Sequence, residues 1–256
     1  MQKYPLFSFQ GLKHLIFAVS FLFAIQLIDY GYFTFLHPGL KFPDYFPIML
    51  LSIFLGWKYV IRRPFSELIG IGITDKKLLL QEFFRGGLYG LLLVFIVVGI
   101  GVVFHSIPYA FNPEFGKNIL FMILGYLFFI PLSAFYEELH YRGLYISLFD
   151  GKYARLIAIL ISAIIFSYVH IQLQDNYTIY YLINMFLFAL ILSLLRLRYQ
   201  NIIFLVGVHA AWNFFLILLS PLFGAESERY AEFTLTTTFV LVCTLLVELY
   251  LSIRKK

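Results

Sequence analysis

The sequence predicts an all-α fold, a polytopic membrane helical bundle of about eight transmembrane helices with both termini cytoplasmic. Three observations predict it. The chain is 61% hydrophobic, 20% aromatic and only 13% charged, with a mean hydropathy of +0.87, whereas soluble domains carry about a quarter charged residues. Apolar segments of roughly 18–25 residues recur, long enough to cross about 30 Å of hydrocarbon. The basic residues segregate to one side of the resulting topology.

The spans are predicted at 13–36, 44–61, 87–105, 118–149, 154–171, 177–195, 201–220 and 231–253. Strands of alternating polarity do not occur, which argues against a barrel. Pro38, Gly39, Pro43 and Pro47 punctuate the first connection, Pro108 and Pro113 the third, and Pro221 and Gly224 the seventh. The first segment is longer than a signal-peptide core and no small-x-small site follows, so a retained helix is expected. Thr74 to Gly87 places apolar Leu78, Leu79, Leu80, Phe83 and Phe84 among charges. It suits either an amphipathic helix on the inner interface or a polar loop into the third span. Cys243 lies in an apolar span and is expected to pack. No repeat, low-complexity tract or composition shift divides the chain, so residues 1–256 form a single integral membrane domain.

With the N-terminus inside, 15 of the 19 Lys and Arg residues fall on the cytoplasmic side. Only Lys41, Lys117 and Arg229 fall outside, and Arg142 lies within a span. The net charge of +5 is thus a topology signal. The charges do not gather on one solvated face, which argues against nucleic acid as a partner. The expected location is the cell membrane, as a multi-pass protein of a bacterial or archaeal plasma membrane.

Against this apolar background a few polar residues stand out. The fourth span holds Glu137, Glu138, His140 and Arg142; the fifth ends on Phe166 and His170; the sixth has Asn184; the seventh has His209 and Asn213. Ionisable groups within a bilayer are costly and mark working sites. Glu138 and Arg142 stand at i and i+4 on one helical face and can pair. Glu137 lies about 100° around from Glu138, so one acid can be held while the other points elsewhere.

Depth brings these groups together. Glu137 lies 14 residues before Gly151 and His170 lies 19 after it, roughly 21 and 28 Å along antiparallel helices. His209 lies roughly 13 Å into the seventh span and Asn213 roughly 6 Å further. One intramembrane pocket could therefore hold all of them. A separation of Glu137 and His170 beyond about 10 Å, two turns of helix, would defeat that expectation.

A carboxylate beside an imidazole can deprotonate water, and a second His with an Asn amide can donate to a developing oxyanion. These are the parts of an acyl-bond hydrolysis with water as nucleophile. Ser133 has no recognisable hydrolase context, and Cys243 is far away in sequence. Glu137, His170 and His209 also match the ligand types of a catalytic zinc. No His-Glu-x-x-His is present, and the metal-free form is preferred, with no cofactor and zinc as the alternative.

Glu137-Glu138-x-x-x-Arg142, Phe166-x-x-x-His170 and His209-x-x-x-Asn213 resemble the three-motif signature of the CPBP intramembrane proteases. That family comprises the CAAX protease and bacteriocin-processing enzymes, related to type II CAAX prenyl endopeptidases. The resemblance covers the core at about 118–220. It implies that Glu137 activates water with His170, that Glu138 and Arg142 order the site, and that His209 and Asn213 stabilise the oxyanion. Phe166, heading the second motif, is expected to meet the substrate. It also implies a membrane peptide or lipidated protein as substrate, in CAAX-type or peptide-signal and bacteriocin-type processing.

Plainer readings stand beside it. Glu138 and Arg142 can be a structural ion pair. His209, Asn213 and Asn184 can be interhelical hydrogen-bonding glue, and His140 a packing or pore-lining residue. A proton- or cation-coupled transporter would use the same groups as a relay, but expects inverted repeats that the chain lacks. A non-catalytic immunity or scaffold protein would keep the site without using it.

Overall fold

The computed structural model describes residues 75–106, 119–144, 152–172, 179–219 and 227–254, with Phe54, Lys58, Ile69, Gly70 and Ile146. The first two predicted spans, apart from Phe54 and Lys58, and both chain ends lie outside the described residues. Each of the other six spans has its helix: α1 (Lys76–Val103), α2 (Ile119–Glu138), α3 (Lys152–Gln172), α4 (Ile179–Tyr199), α5 (Ile202–Leu219) and α6 (Ser227–Arg254). α1, α4 and Glu232–Arg254 of α6 are long and apolar enough to cross a membrane. With the composition, they make this a membrane protein.

Two boundaries differ from the expectation. Of the segment at 74–87, the described residues 75–87 are neither a separate interfacial helix nor a loop but the cap and opening turns of α1. Asp75 caps it, its side chain accepting from the Leu78 N–H at 3.0 Å. Gly86 and Gly87 do not break the helix, because Gly86 meets α5 there. A Cβ on Gly86 would lie 1.9 Å from the Phe204 carbonyl oxygen, and one on Gly207 2.0 Å from the Phe83 carbonyl oxygen. Membrane helices associate through such small-residue contacts, because lipid offers no hydrophobic contrast. The fourth predicted span, read as continuous α-helix, turns π-helical over Leu139–Leu144. π-Helical turns inside α-helices frequently mark functional sites.

α5 is the centre of the bundle. One face joins α1, α4 and α6 in a core built on Val97, Leu192, Phe204, Val208, Trp212 and Leu241. Another packs Ile202, Val206 and Ala210 on Ile130, Ala134 and Leu139 of α2 and its π turn. A third cluster unites Tyr141, Ala163 and Phe166 with Ala189 of α4. α2 thus packs on α5, and α3 on α4 and the π turn, around the polar residues.

Candidate active site

Glu137 and Glu138 are the last two residues of α2, and the π turn follows at once. The i, i+4 pairing holds across this junction. Arg142 Nη1 donates to Glu138 Oε1 at 3.0 Å, with both side chains fully buried. His209 Nδ1 reaches the same oxygen at 2.8 Å. Arg142 Nη2 donates to the Ala189 carbonyl at 3.2 Å, and its guanidinium lies 4.7 Å from the centre of the Phe166 ring. One planar cation thus ties α2 to α3 and α4, a use of the fixed fork that a lysine could not reproduce.

Glu137 turns the other way, as the 100° offset predicts. Its Oε1 accepts from Ser133 Oγ at 3.2 Å. Its Oε2 is buried without a hydrogen-bond partner among the described residues. That oxygen faces two imidazoles, His170 Nε2 at 4.0 Å and His209 Nε2 at 3.9 Å. The predicted convergence of Glu137 and His170 is therefore found, well inside the limit set for it. The side chains of Glu137 and His170 stay 17% and 19% exposed while His209 keeps 2%, so the cluster opens on the Glu137–His170 side.

Both imidazoles are anchored through Nδ1. His170 Nδ1 lies 2.7 Å from the Phe166 carbonyl. A carbonyl only accepts, so the proton sits on Nδ1 and a neutral ring keeps its lone pair on Nε2. By the same reasoning His209 donates Nδ1–H to the Glu138 carboxylate. Two Nε2 atoms and one carboxylate oxygen remain, aimed at a common point.

Phe166, expected to meet substrate, is 1% exposed. Its ring stacks at a tilt on His170 at 4.3 Å, sits edge-on to Tyr141 at 5.2 Å and lies 6.0 Å from the His209 ring. Its contacts are with the site's own groups. Asn213 is half-buried one turn along α5 from His209, and no hydrogen bond joins it to the cluster among the described residues. His140 is buried between the rings of Tyr136 and Tyr141, a packing position. Asn184 is interhelical glue, as expected. It donates to the Thr234 carbonyl at 3.0 Å and accepts from Thr238 Oγ1 at 2.6 Å, binding α4 to α6. Cys243 does not pack: it is exposed on α6.

Glu137, His170 and His209 do not form a tetrahedral zinc set as they stand. Donors about 2.0–2.1 Å from zinc lie roughly 3.3 Å apart, while Glu137 Oε2 stands 3.9 and 4.0 Å from the two Nε2 atoms. Among the described residues no three His, Cys, Asp or Glu side chains group closely enough to hold a metal ion.

Sequence reasoning missed three groups. Ser133 was considered only as a nucleophile, although its i, i+4 spacing to Glu137 already pointed to a hydrogen bond. Ser162 on α3, fully buried, donates to the Tyr141 carbonyl at 3.0 Å. Glu248 on α6 binds Arg198 of α4 and Tyr89 of α1. A lone acid within an apolar span was its available signal.

Among the described residues, Glu, His and Arg side chains from α2, its π turn, α3 and α5 meet in one buried polar cluster of a helical membrane protein. Residues 116–215 match the family described as type II CAAX prenyl endopeptidase, Rce1-like. That stretch holds Glu137, Glu138, Arg142, Phe166, His170, His209 and Asn213, and the resemblance read from the motifs agrees with it. No curated protein and no solved structure matches the chain.

Proposed function

We propose that this chain is a multi-pass intramembrane endopeptidase that cleaves a membrane-associated peptide or lipidated protein with a water activated by Glu137 and His170. The observation that carries this reading is Glu137 Oε2, a buried acceptor without a hydrogen-bond partner among the described residues, facing the Nε2 atoms of His170 and His209 at 4.0 and 3.9 Å. One water about 2.8 Å from each of Glu137 Oε2 and His170 Nε2 spans such a gap and offers each a proton.

In the proposed reaction Glu137 takes a proton from that water as the oxygen adds to the scissile carbonyl carbon. The tetrahedral oxyanion is met by His209, which as imidazolium keeps Nδ1–H on Glu138 and presents Nε2–H. The Asn213 amide, one turn on, would add a second donor. Glu137 then returns its proton to the amine as the carbon–nitrogen bond breaks, leaving a carboxylic acid and a free amine. Glu138, held in turn by Arg142, accepts Nδ1–H and fixes the orientation of the His209 ring. Phe166 fixes the planes of His170 and Arg142.

The test is cleavage of a prenylated peptide ending in Cys-aliphatic-aliphatic-X by the purified chain. Glu137→Gln keeps the shape and removes the base, and should lower kcat by about a hundredfold or more while the melting temperature holds. Wild-type turnover by Glu137→Gln would refute the role of this carboxylate. Retained activity after chelation and dialysis separates the metal-free form from a zinc-dependent one.

A further inference from the structure

Glu138 Oε1 accepts from two donors, Arg142 Nη1 at 3.0 Å and His209 Nδ1 at 2.8 Å. Both donors lean on α4, a helix that holds none of the three motifs. Arg142 gives a second hydrogen, from Nη2, to the Ala189 carbonyl at 3.2 Å. His209 meets the ring of the preceding residue, Phe188, at 5.4 Å and 78°.

The two donors are not held alike. Arg142 has hydrogen bonds at two nitrogens, to two helices. Among the described residues His209 has one, at Nδ1, while its Nε2 stands 3.9 Å from Glu137 Oε2, beyond hydrogen-bond reach. A single hydrogen bond sets where Nδ1 lies and tolerates tens of degrees of misalignment, so it leaves the imidazole room to tilt. Tilting swings Nε2, on the far side of the ring, away from Glu137 and His170. Packing has to supply the missing constraint, and two buried rings are in place to do so. Phe166 lies 6.0 Å from the His209 ring at 62°, and Phe188 is closer; both contacts have the edge-to-face geometry aromatic pairs prefer.

Phe188 is itself locked. It is 1% exposed and stacks on Trp212 at 5.0 Å and 24°. Trp212 and His209 stand three residues apart on α5, neighbours on one helical face. The Phe188 ring therefore bears on two successive levels of α5 at once, in an interior where a ring cannot shift without opening a void.

We infer that Phe188 is a positioning residue for the proposed hydrolysis: its ring, backed by Trp212, limits the tilt of the His209 imidazole and so sets the aim of Nε2. The inference rests on the endopeptidase reading. Phe204 supplies the control. It is 1% exposed and belongs to the same core as Phe188, but its ring stacks on Tyr199 at 4.2 Å. No ring contact joins it to His209 among the described residues.

The experiment compares full-length wild type, Phe188→Leu, Phe188→Met, Phe204→Leu and Glu137→Gln in detergent. Cleavage of the prenylated peptide is read beside the exchange of the His209 Nδ1–H proton with water, followed by 15N NMR. Phe188→Leu leaves space beside the imidazole. It should lower kcat about tenfold with KM unchanged, since misplacing a catalytic group costs rate rather than binding, and the proton should exchange several-fold faster. Met fills irregular gaps but offers no rigid plane. Phe188→Met should therefore melt above Phe188→Leu yet stay slow, and it carries the test if the leucine variant does not fold. Phe204→Leu should lose similar thermal stability and keep both kcat and the exchange rate.

Wild-type kcat and exchange in Phe188→Met would overturn the positioning role. An equal loss of kcat in Phe204→Leu would assign the effect to general packing and overturn it too. Proton exchange needs no substrate, so it tests the inference even without turnover. Wild-type turnover by Glu137→Gln would overturn the endopeptidase reading instead. A slow Glu137→Gln beside fully active Phe188 variants would overturn the positioning role alone.

Discussion

Glu248 and Glu138 are both buried acids that meet an arginine, and the difference between their surroundings separates a clasp from a site. Glu248 Oε1 accepts from Tyr89 at 3.0 Å and from Arg198 Nη1 at 3.2 Å, and its Oε2 accepts from the same Nη1 at 2.9 Å. Both oxygens are satisfied, and three helices are joined. Around Glu138 and Glu137 the accounting does not close. Glu138 Oε1 carries two donors while, among the described residues, Glu138 Oε2 and Glu137 Oε2 are buried without hydrogen-bond partners. Completing every hydrogen bond would rigidify the cluster and leave nothing to bind. Two surplus acceptors in low dielectric are costly in a resting protein, and useful only if water or substrate takes the remaining bonds.

The widest break in that comparison is Arg142→Ala. It strands the fully buried Glu138 carboxylate with His209 as its one remaining donor among the described residues. Removing one partner of a buried pair costs about 3–5 kcal/mol. We expect a large fall in melting temperature together with loss of peptide cleavage. Arg142→Lys should recover part of the stability and little of the activity, because one ammonium cannot reach both Glu138 and the Ala189 carbonyl in the same fork. Full activity in either variant would reduce Arg142 to a structural ion.

Glu248→Ala tests the other cluster. Arg198 keeps 19% of its side chain exposed and can turn to water, so the loss should be smaller, about 1–3 kcal/mol. Turnover per folded molecule should stay at the wild-type level. The double variant Glu248→Leu with Arg198→Met should regain most of the lost stability, as apolar replacement of a buried pair often does. A fall in kcat without a fall in melting temperature would instead join this clasp to the chemistry.

The spacing of residues carried much of this arrangement. The i, i+4 relation of Glu138 to Arg142, the offset of Glu137 and the matching depths of His170 and His209 all follow from ordinary helix geometry, and the site has them. The π turn was not legible, because counting residues at a fixed angle assumes the bonding that Leu139–Leu144 abandons. The start of α1 was hidden by Gly86 and Gly87, whose small size serves contact with α5. Arg196 and Arg198 end α4, Arg196 buried and Arg198 paired to Glu248, partnerships that a count of charges by side does not reveal. Cys243 failed for a different reason. Lipid-facing and buried positions of a membrane helix are both apolar, so the polarity contrast that distinguishes faces in water is missing.

The finest test of the comparison is Ser133→Ala. Ser133 holds Glu137 Oε1 at 3.2 Å, which leaves Oε2 for the two imidazoles. Without the hydroxyl the two oxygens become equivalent and the carboxylate is free to rotate. A single neutral donor at a half-buried position is worth about 0.5–1.5 kcal/mol, so the melting temperature should move little. The rate should fall several-fold with KM constant, because orientation of the base is lost. Ser133→Thr keeps the donor and should keep the rate. If Ser133→Ala lowered the melting temperature and left kcat untouched, Ser133 would belong with Tyr89 and Thr238 among the groups that hold helices together, and the orientation of Glu137 would have to come from the imidazoles alone.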